Sequence, residues 1–363
     1  MQGFNIKSIY DHFQGKGDFI SAVPYGQGHI NDTYLVETTE EKYILQRING
    51  NVFKNIGNII ENVAKVSEHM HKKILERGGK PYREMLFFVS SYDDKKYYTT
   101  EDGSFFRMYV YVDDVTCYQS VENAQVFYES ARAFGNFQKL LSDFPADKLF
   151  ETIPNFHDTV DRYRQLKEAI AADKAGRCKE VQAEIDFALA REKDAGIIVN
   201  ALKNNELPLR VTHNDTKLNN VLIDNATGKG ICVIDLDTVM PGSMLYDFGD
   251  SIRFGASTAA EDETDLNKVS MDLHLFEEYT RGYLEVLKDS ITPAEVELLA
   301  FSAKLLTLEC GIRFLADYLN GDTYFKIHRP SHNLDRARTQ LKLVADMENK
   351  MDKMKEIVNK YSK

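Results

Sequence analysis

The sequence predicts an α+β protein with a β-rich N-terminal lobe over residues 1–111 and a mainly helical C-terminal lobe over residues 112–363. Three observations favour this fold class. Short strand-like runs separated by Gly, Asn and Asp residues fill most of the N-terminal part. Helical periodicity dominates from Val121 onward. The length of 363 residues exceeds what one hydrophobic core usually supports, so two structural units are expected.

The N-terminal elements follow from local pattern. Residues 1–16 predict a short amphipathic helix, and residues 19–48 predict three strands joined by turns, of which the first is glycine-rich. Apolar residues at spacings of three and four predict a helix over residues 55–77. The segments MLFFVSS, KKYYTT and SFFRMYVYV then predict two or three further strands. This lobe is therefore expected to be an antiparallel sheet with one main helix.

Helices over residues 121–142, 158–173 and 177–201 are predicted for the C-terminal lobe. One insertion, at residues 209–237, breaks this helical pattern with the strand-like runs LRVT, NVLID and GICVID and is expected to form a hairpin. Functional groups often lie on such loops of a rigid scaffold, so chemistry is expected there. The chain ends in a predicted helix with an apolar stripe that we expect to pack on the core: Leu334, Ala337, Leu341, Val344, Met347, Met351, Met354, Val358 and Tyr361.

Composition excludes several classes of protein. The chain has 45 Lys and Arg against 56 Asp and Glu, a net charge of −11, so it lacks the basic footprint of a nucleic-acid-binding protein. Residues 1–20 contain no apolar run typical of a secretion leader, and no segment is apolar enough to span a membrane. We therefore expect a cytoplasmic protein without nucleic-acid or membrane partners. Four cysteines lie far apart and are expected to be buried free thiols: Cys117, Cys178, Cys232 and Cys310.

The predicted hairpin carries a constellation that suits phosphoryl transfer. It reads HNDTKLNN from His213, then an apolar strand, then IDLD from Ile234. Asp215 offers a carboxylate to accept the proton of an acceptor hydroxyl, and Lys217 offers a cation beside the moving phosphoryl group. Asn220 and Asp235 offer the oxygen donors that Mg²⁺ prefers. The alternative is a structural hairpin in which these groups serve as caps and turn carboxylates.

A wider set of segments resembles a known family. It includes PYGQGHINDTYLV, YILQRIN, LRVTHNDTKLNN, VIDLDTVMPGSMLYDFGDSIRFGAS, ECGIRFLADYL and GDTYF. These segments resemble the aminoglycoside phosphotransferase and choline kinase superfamily, the small-molecule relatives of protein kinases, and within it the N-acetylhexosamine 1-kinases. The resemblance implies a two-lobed protein-kinase-like fold, ATP and Mg²⁺, and phosphorylation of the anomeric hydroxyl of GlcNAc or GalNAc. We expect a monomer whose partner is this small sugar.

On the nucleotide side, the first glycine-rich turn is expected to bring backbone N–H groups to the ATP phosphates, although an ordinary hairpin turn would read the same way. The residues concerned are Tyr25, Gly26, Gln27 and Gly28, with His29 or Asn31 as groups that instead reach the sugar.

The third predicted strand lacks the lysine that usually pairs with the α- and β-phosphates in this superfamily. Gln46 or Arg47 must substitute, and because they lie on opposite faces of a strand only one of them can face the nucleotide. The sequence leaves open which one. The adenine ring is expected to meet the backbone of a hinge strand that begins with Met108, Tyr109 and Val110.

Sugar recognition is predicted from Arg313 and Tyr324. Arg313 sits among apolar residues, so it either binds sugar or phosphate oxygens or pairs internally with a residue such as Asp317. Tyr324 either stacks on the sugar or packs within the fold. Asp237 is either a second magnesium or sugar ligand or a turn carboxylate.

Two further groups are assigned to structure. His213 is expected to fix the loop that carries Asp215. The Asp-Phe-Gly sequence at residues 247–249 spells a protein-kinase magnesium motif, but it lies far beyond Asn220. We therefore expect Asp247 to anchor the loop that carries Asp235.

Two alternative functions remain at this stage. One is a kinase for another small hydroxyl compound, such as an amino alcohol, an aminoglycoside or homoserine. A polycationic acceptor would need an acidic groove, and residues 261–263 with Asp265 are the acidic run available. The other is a catalytically silent kinase-like scaffold, which the missing strand lysine would suit, although such a protein has no need of the whole phosphoryl-transfer set.

Overall fold

The computed structural model describes residues 4–26, 31–50 and 55–363. Its N-terminal lobe is built on one antiparallel sheet. The elements are α1 Ile6–Tyr10, β1 Phe19–Pro24, β2 Asp32–Thr38, β3 Lys42–Ile48, α2 Ile56–Glu76, α3 Pro81–Glu84, β4 Phe88–Val89, β5 Tyr98–Thr99 and β6 Phe105–Val110. The strand order is β1-β2-β3-β6-β4, and β5 also pairs with β6. The predicted sheet and its main helix are confirmed.

Helices make up most of the C-terminal lobe. Its elements are β7 Val115–Thr116, α4 Ala124–Leu140, α5 Thr159–Ala172, α6 Gln182–Leu189, α7 Gly196–Lys203, β8 Arg210–Thr212, β9 Val221–Asp224, β10 Gly230–Val233, β11 Met240–Gly242, α8 Met244–Gly255, α9 Leu273–Leu287, α10 Pro293–Leu319 and α11 His332–Tyr361. Strands β7, β9 and β10 form one small sheet, and β8 pairs with β11. The two-lobed α+β prediction is confirmed.

The long helix α10 is the centre of this lobe. It begins with a capping box between Thr292 and Glu295, and it packs against α8, α11 and α5. Helix α8 approaches it so closely that a Cβ atom at Gly249 would lie 2.6 Å from the backbone oxygen of Ser302. Glu295 also receives hydrogen bonds from Arg210 at 2.5 and 2.8 Å. Strand β8, expected to belong to the hairpin of residues 209–237, instead pairs with β11 and is held directly to the core helix.

Two expectations about this part of the chain are wrong. Residues 177–201 do not form one helix, because the short turn Glu192–Asp194 buries none of its residues and separates α6 from α7. The cysteines are free as expected, but they are not all buried. Cys117 is exposed because it lies on the loop after β7, whereas Cys232 is buried in β10. No helix in the described ranges is long and apolar enough to cross a membrane.

Candidate active site

The loop of residues 213–220 lies between β8 and β9 and is anchored by the first turn of α8. Asp247 accepts hydrogen bonds from the backbone N–H of Asn214 at 2.8 Å and of His213 at 3.0 Å. Gln138 donates a third bond to the same carboxylate at 2.7 Å. Burial raises the pKa of Asp247, whereas these donors favour its charged form. Asp247 therefore has a structural role, as predicted. It anchors the loop that carries Asp215, whereas we expected it to anchor the loop that carries Asp235.

The His213 ring joins this loop to the end of β10. Its Nε2 lies 2.9 Å from the carbonyl oxygen of Ile234, and its Nδ1 lies 3.3 Å from the backbone nitrogen of Asp215. A carbonyl only accepts and an amide N–H only donates, so the proton resides on Nε2 and the ring is neutral. The ring is completely buried, with Phe134 edge-on against it. This geometry matches a histidine that fixes the loop.

Asp215 and Lys217 point from this loop into the space between the lobes. Lys217 Nζ lies 2.9 Å from Asp215 Oδ1, and the two side chains are 37% and 29% exposed. Thr216 between them is buried, with its hydroxyl donating to the backbone oxygen of Asp247 at 2.6 Å. Asp215 raises the pKa of Lys217 above its ordinary value, although partial burial acts in the opposite direction. The pair that the sequence singled out therefore stands on a fixed backbone with both charges accessible.

Asn220 and Asp235 present oxygen atoms to the same space. Asn220 donates through Nδ2 to the backbone oxygen of Asp215 at 2.8 Å, which leaves its Oδ1 without a partner among the described residues. Asp235 follows β10 with a left-handed backbone, φ 60° and ψ 59°, which is uncommon for a residue other than glycine. No group in the described ranges donates a hydrogen bond to its carboxylate.

The charge around Asp235 is unbalanced. Asp235 is exposed to solvent. The pKa of Asp235 is raised to about 6, first by burial and then by the negative charges of Asp237 and Asp215. Within the described residues, no three His, Cys, Asp or Glu side chains gather at one point. One amide oxygen and one carboxylate suit Mg²⁺, which keeps water and substrate phosphates as its other ligands.

Gln46 and Arg47 lie on opposite faces of β3, as expected. Arg47 points outward, where it pairs with Asp32 at 2.7 Å. Gln46 points inward, and its Oε1 accepts hydrogen bonds from Arg107 at 2.7 and 3.1 Å. Its Nε2 donates to Thr33 at 2.9 Å. The structure therefore does not favour Arg47 as the replacement for the lysine. Gln46 keeps one amide N–H without a partner among the described residues, so its contact with a phosphate stays a prediction.

Asp237 is committed to the N-terminal lobe. Its Oδ1 lies 2.5 Å from Nη1 of Arg107, and both side chains are 3% exposed. Asn31 donates to its Oδ2 at 2.8 Å. Burial lowers the pKa of Arg107, but the contacts with Asp237 and the charges of Tyr109 and Asp235 together keep the pKa above the ordinary value. The structure thus places Asp237 and Asn31 in a contact between the lobes, where both were expected to bind a ligand.

The hinge strand lies further along the chain than expected. Strand β6 is flanked by β3 on one side, from Ile48↔Phe105 to Tyr43↔Val110, and by β4 on the other side at Met108 and Tyr109. Val110 N–H donates to Phe87 at 2.9 Å. The backbone of Met108 and Tyr109 is therefore used by the sheet, and the expectation that it meets adenine is wrong.

Only part of the glycine-rich turn falls within the described residues. Gln27, Gly28 and His29 lie outside them. Gly26 has a φ of 81°, a backbone conformation that glycine adopts without steric cost. Tyr25 is exposed, and its hydroxyl lies 3.3 Å from that of Tyr111.

Arg313 lies on α10 and has no ion pair or hydrogen bond within the described residues. Its guanidinium carbon lies 5.5 Å from the ring centres of Phe156 and Phe325. The alternative pairing with Asp317 is wrong. Asp317 instead accepts hydrogen bonds from the backbone N–H groups of the loop that carries Tyr324, at 2.8 to 2.9 Å.

Further groups complete the surroundings of Arg313, and sequence reasoning missed them. Burial and the positive charge of Arg313 lower the pKa of Arg162 on α5. His157, next to Phe156, lies 2.7 Å from Glu309 and 3.5 Å from the backbone oxygen of Asn214. Tyr324 is 71% exposed at the edge of this group. The signal for Arg162 was absent from the sequence, since an arginine in a polar helix is usually a surface residue.

Comparisons with known proteins agree with this geometry. A model of the phosphotransferase enzyme family matches residues 21–284. The chain is similar to an aminoglycoside phosphotransferase structure from Alicyclobacillus acidocaldarius, with 12% identity, a TM-score of 0.63 and coverage of 99% of this chain and 98% of that one.

Two other solved structures are similar over comparable lengths. A microcompartment-associated aminopropanol kinase has 15% identity and a TM-score of 0.58, with coverage of 96% of this chain and 97% of that chain. A spectinomycin phosphotransferase solved with ADP and spectinomycin has 14% identity and a TM-score of 0.52, with coverage of 97% and 99%. At these identities the similarity shows a common fold.

Proposed function

Because the chain belongs to the phosphotransferase enzyme family, we propose that it transfers the γ-phosphoryl group of ATP to the anomeric hydroxyl of an N-acetylhexosamine. The observation that carries the proposal is the exposed pair of Asp215 and Lys217, held 2.9 Å apart on a loop whose backbone is fixed by Asp247. The ADP-bound spectinomycin phosphotransferase with the same fold supports ATP as the donor.

Asp215 accepts the proton of the acceptor hydroxyl while the oxygen of that hydroxyl attacks the γ-phosphorus of ATP. An anomeric hydroxyl suits this carboxylate, because the ring oxygen stabilises the alkoxide and less proton transfer is needed. Lys217 offsets the charge that spreads over the transferred phosphoryl oxygens. Asn220 Oδ1 and the Asp235 carboxylate would hold Mg²⁺, which when bound neutralises charge on the phosphates.

The surroundings of Arg313 favour a neutral acceptor over a cationic one. The guanidinium of Arg313 lies close enough to that of Arg162 to lower its pKa, and Arg313 has no ion pair among the described residues. An ammonium group brought beside them would meet repulsion. An acetamido carbonyl can accept from a guanidinium, and its methyl group can contact the rings of Phe156 and Phe325.

The acidic run at residues 261–263 does not supply a cation-binding groove. Glu261 pairs with Arg253 at 2.8 Å, Asp262 pairs with Arg329 at 3.2 Å, and Glu263 lies 3.6 Å from Lys268. Its charges are therefore balanced by neighbouring basic side chains. This favours the sugar over an aminoglycoside or an amino alcohol as acceptor.

Adenine is proposed to meet the Tyr111 carbonyl oxygen and the Val112 N–H, under the exposed ring of Tyr25, because the Tyr111 N–H already donates to the Lys42 carbonyl oxygen of β3 at 3.0 Å. Tyr111 lies next to the end of β6, and its hydroxyl is within 3.3 Å of the Tyr25 hydroxyl. The glycine turn that follows Tyr25 would cover the phosphates.

The proposal is tested by a panel of acceptors with Mg-ATP, with ADP release as the readout. The panel contains GlcNAc, GalNAc, glucose, homoserine, choline, aminopropanol and an aminoglycoside, and Asp215→Asn is the control enzyme. We expect turnover of the two N-acetylhexosamines, a product with phosphorus coupled to the proton on C1, and no turnover of 1-deoxy-GlcNAc. Turnover of a cationic alcohol in place of the sugars would contradict the proposal that the acceptor is an N-acetylhexosamine. ADP release no faster than that of Asp215→Asn with every acceptor would contradict catalysis and favour the silent scaffold.

A further inference from the structure

The inner face of the N-terminal sheet carries a buried arginine that is tied to the loop of Asp235. Arg107 lies on β6 opposite Gln46 of β3. Its Nη1 lies 2.5 Å from Oδ1 of Asp237, and both side chains are 3% exposed. The contact is ionic without the alignment of a hydrogen bond, because Asp237 Oδ1 has no hydrogen-bond donor among the described residues.

Gln46 holds the guanidinium in place. Nε and Nη2 of Arg107 donate to its Oε1 at 3.1 and 2.7 Å, and the Tyr109 hydroxyl donates to the same atom at 2.5 Å. Thr33 accepts from the Gln46 amide nitrogen at 2.9 Å. All three guanidinium nitrogens are thus engaged, two by the sheet and one by the C-terminal lobe.

Buried charges of this kind are costly unless they are paired, so the Arg107 and Asp237 side chains depend on each other. Asp237 lies two residues after Asp235, in the short turn Leu236–Thr238 against which α2 packs. A shift of Asp237 would therefore move Asp235, whose carboxylate faces the cleft. The superfamily resemblance predicts a lysine on β3 where this chain has Gln46 and Arg47. The neighbouring strand holds the only cation that contacts this turn in the described structure.

We propose that Arg107 is a positioning residue for the loop that carries Asp235. It fixes the Asp235 loop to the N-terminal sheet through Asp237 and Gln46, and it does so without contacting the phosphates. This inference rests on the proposed phosphoryl transfer, since it assigns Asp235 to the nucleotide and its Mg²⁺.

The test measures the affinity of the full chain for ADP with Mg²⁺ by calorimetry, alongside kcat and the KM values for ATP and acceptor. We compare Arg107→Met, Arg107→Lys, Asp237→Asn and the double variant Arg107→Gln with Asp237→Asn. Arg47→Met is the matched control, because Arg47 is the adjacent arginine on the outer face of β3. Arg107→Met should weaken binding of Mg-ADP by at least about tenfold, the range typical of groups that support a metal ligand. It should raise the KM for ATP while the KM for the acceptor stays unchanged, and Arg47→Met should change neither.

The double variant separates positioning from stability, because it leaves no unpaired buried charge. We expect it to melt near the wild-type temperature and still to bind Mg-ADP weakly. Recovery of both stability and Mg-ADP affinity in the double variant, or in a folded Arg107→Met protein, would overturn the inference. Arg107→Lys retains one charge contact and should lie between wild type and Arg107→Met. If the wild-type protein itself fails to bind Mg-ADP, both the proposed function and the assignment of Arg107 as a positioning residue are contradicted.

Discussion

Replacement of Asp247 by Asn should lower turnover without changing the requirement for Mg²⁺. The two carboxylate oxygens of Asp247 accept from two different backbone N–H groups, those of His213 and Asn214. An asparagine has only one side-chain oxygen. Whichever way its amide is turned, one buried backbone N–H faces an N–H₂ group and is left without an acceptor.

The expected cost follows from these contacts. An unsatisfied buried N–H costs about 1–3 kcal/mol, and the bonds that remain lose the extra strength of a charged acceptor. Relief of the buried charge, whose pKa is raised by burial, offsets part of this loss. We expect a net destabilisation of about 2–4 kcal/mol. For a chain of 363 residues this corresponds to a melting temperature lower by about 3–5 °C. A displacement of Asp215 by about 1 Å would reduce kcat roughly 100-fold.

The assay is a Mg²⁺ titration of ADP release combined with thermal melting in EDTA and amide hydrogen exchange of residues 213–217. Asp352→Asn is the matched control, because Asp352 is an exposed acid on α11 without an ion pair in the described structure. Asp247→Asn should exchange faster in this loop while its half-saturating Mg²⁺ concentration stays near the wild-type value. Rescue of activity by excess Mg²⁺, with unchanged stability, would refute the anchoring role and make Asp247 a metal ligand.

Three further predictions concern the cleft. Asp215→Asn should lower kcat by at least about 10²-fold, with little change in the KM for the sugar, because the group acts mainly in the transition state; a parallel rise in KM in steady-state kinetics would assign Asp215 to sugar binding. The folded-state pKa of Asp235 is about 6, above its value of about 4 in an unfolded chain. Folding therefore favours the protonated form of Asp235, and this preference stabilises the folded state at low pH. The metal-free protein loses this contribution to its stability as the pH rises through about 6. Binding of Mg-ADP measured by calorimetry should accordingly weaken about tenfold between pH 7 and pH 5, and Asp235→Asn should raise the melting temperature in EDTA above pH 6; a pH-independent affinity would contradict this. Arg313→Met should raise the KM for the sugar at least about tenfold and leave that for ATP unchanged, since one charged hydrogen-bonding group is worth about 1.5–3 kcal/mol; equal KM values would remove Arg313 from the acceptor site.

Local pattern was sufficient for most of the fold. The spacing of apolar residues predicted α2 and α11 to within a few residues, because each buries one continuous stripe. The prediction failed at residues 177–201, where two short helices and two turns share a sequence that looks continuous. Helical periodicity there does not reveal that none of the residues of Glu192–Asp194 is buried.

Groups close together in sequence were placed correctly, and groups brought together by topology were not. Asp215 and Lys217 are two residues apart, so any loop that exposes one exposes the other. The contact of Asp247 with His213 and Asn214 spans 33 to 34 positions, and it depends on how α8 packs beneath β8. The sequence identified Asp247 as structural but could not say which loop it holds.

Arg107 shows what kind of reasoning would recover such a residue. The run FFRMYV places an arginine in a predicted strand with apolar neighbours on both sides, and two faces of a buried strand leave no solvent for its charge. Strand β3 lacks the expected lysine, whereas β6 carries an arginine for which the sequence offers no partner. The register between β3 and β6 could not be predicted from the sequence, because the segment that connects them contains α2, α3 and two short strands. Once β3 and β6 are known to be adjacent, Gln46 and Arg107 fall opposite each other, and the buried arginine has a partner on the neighbouring strand.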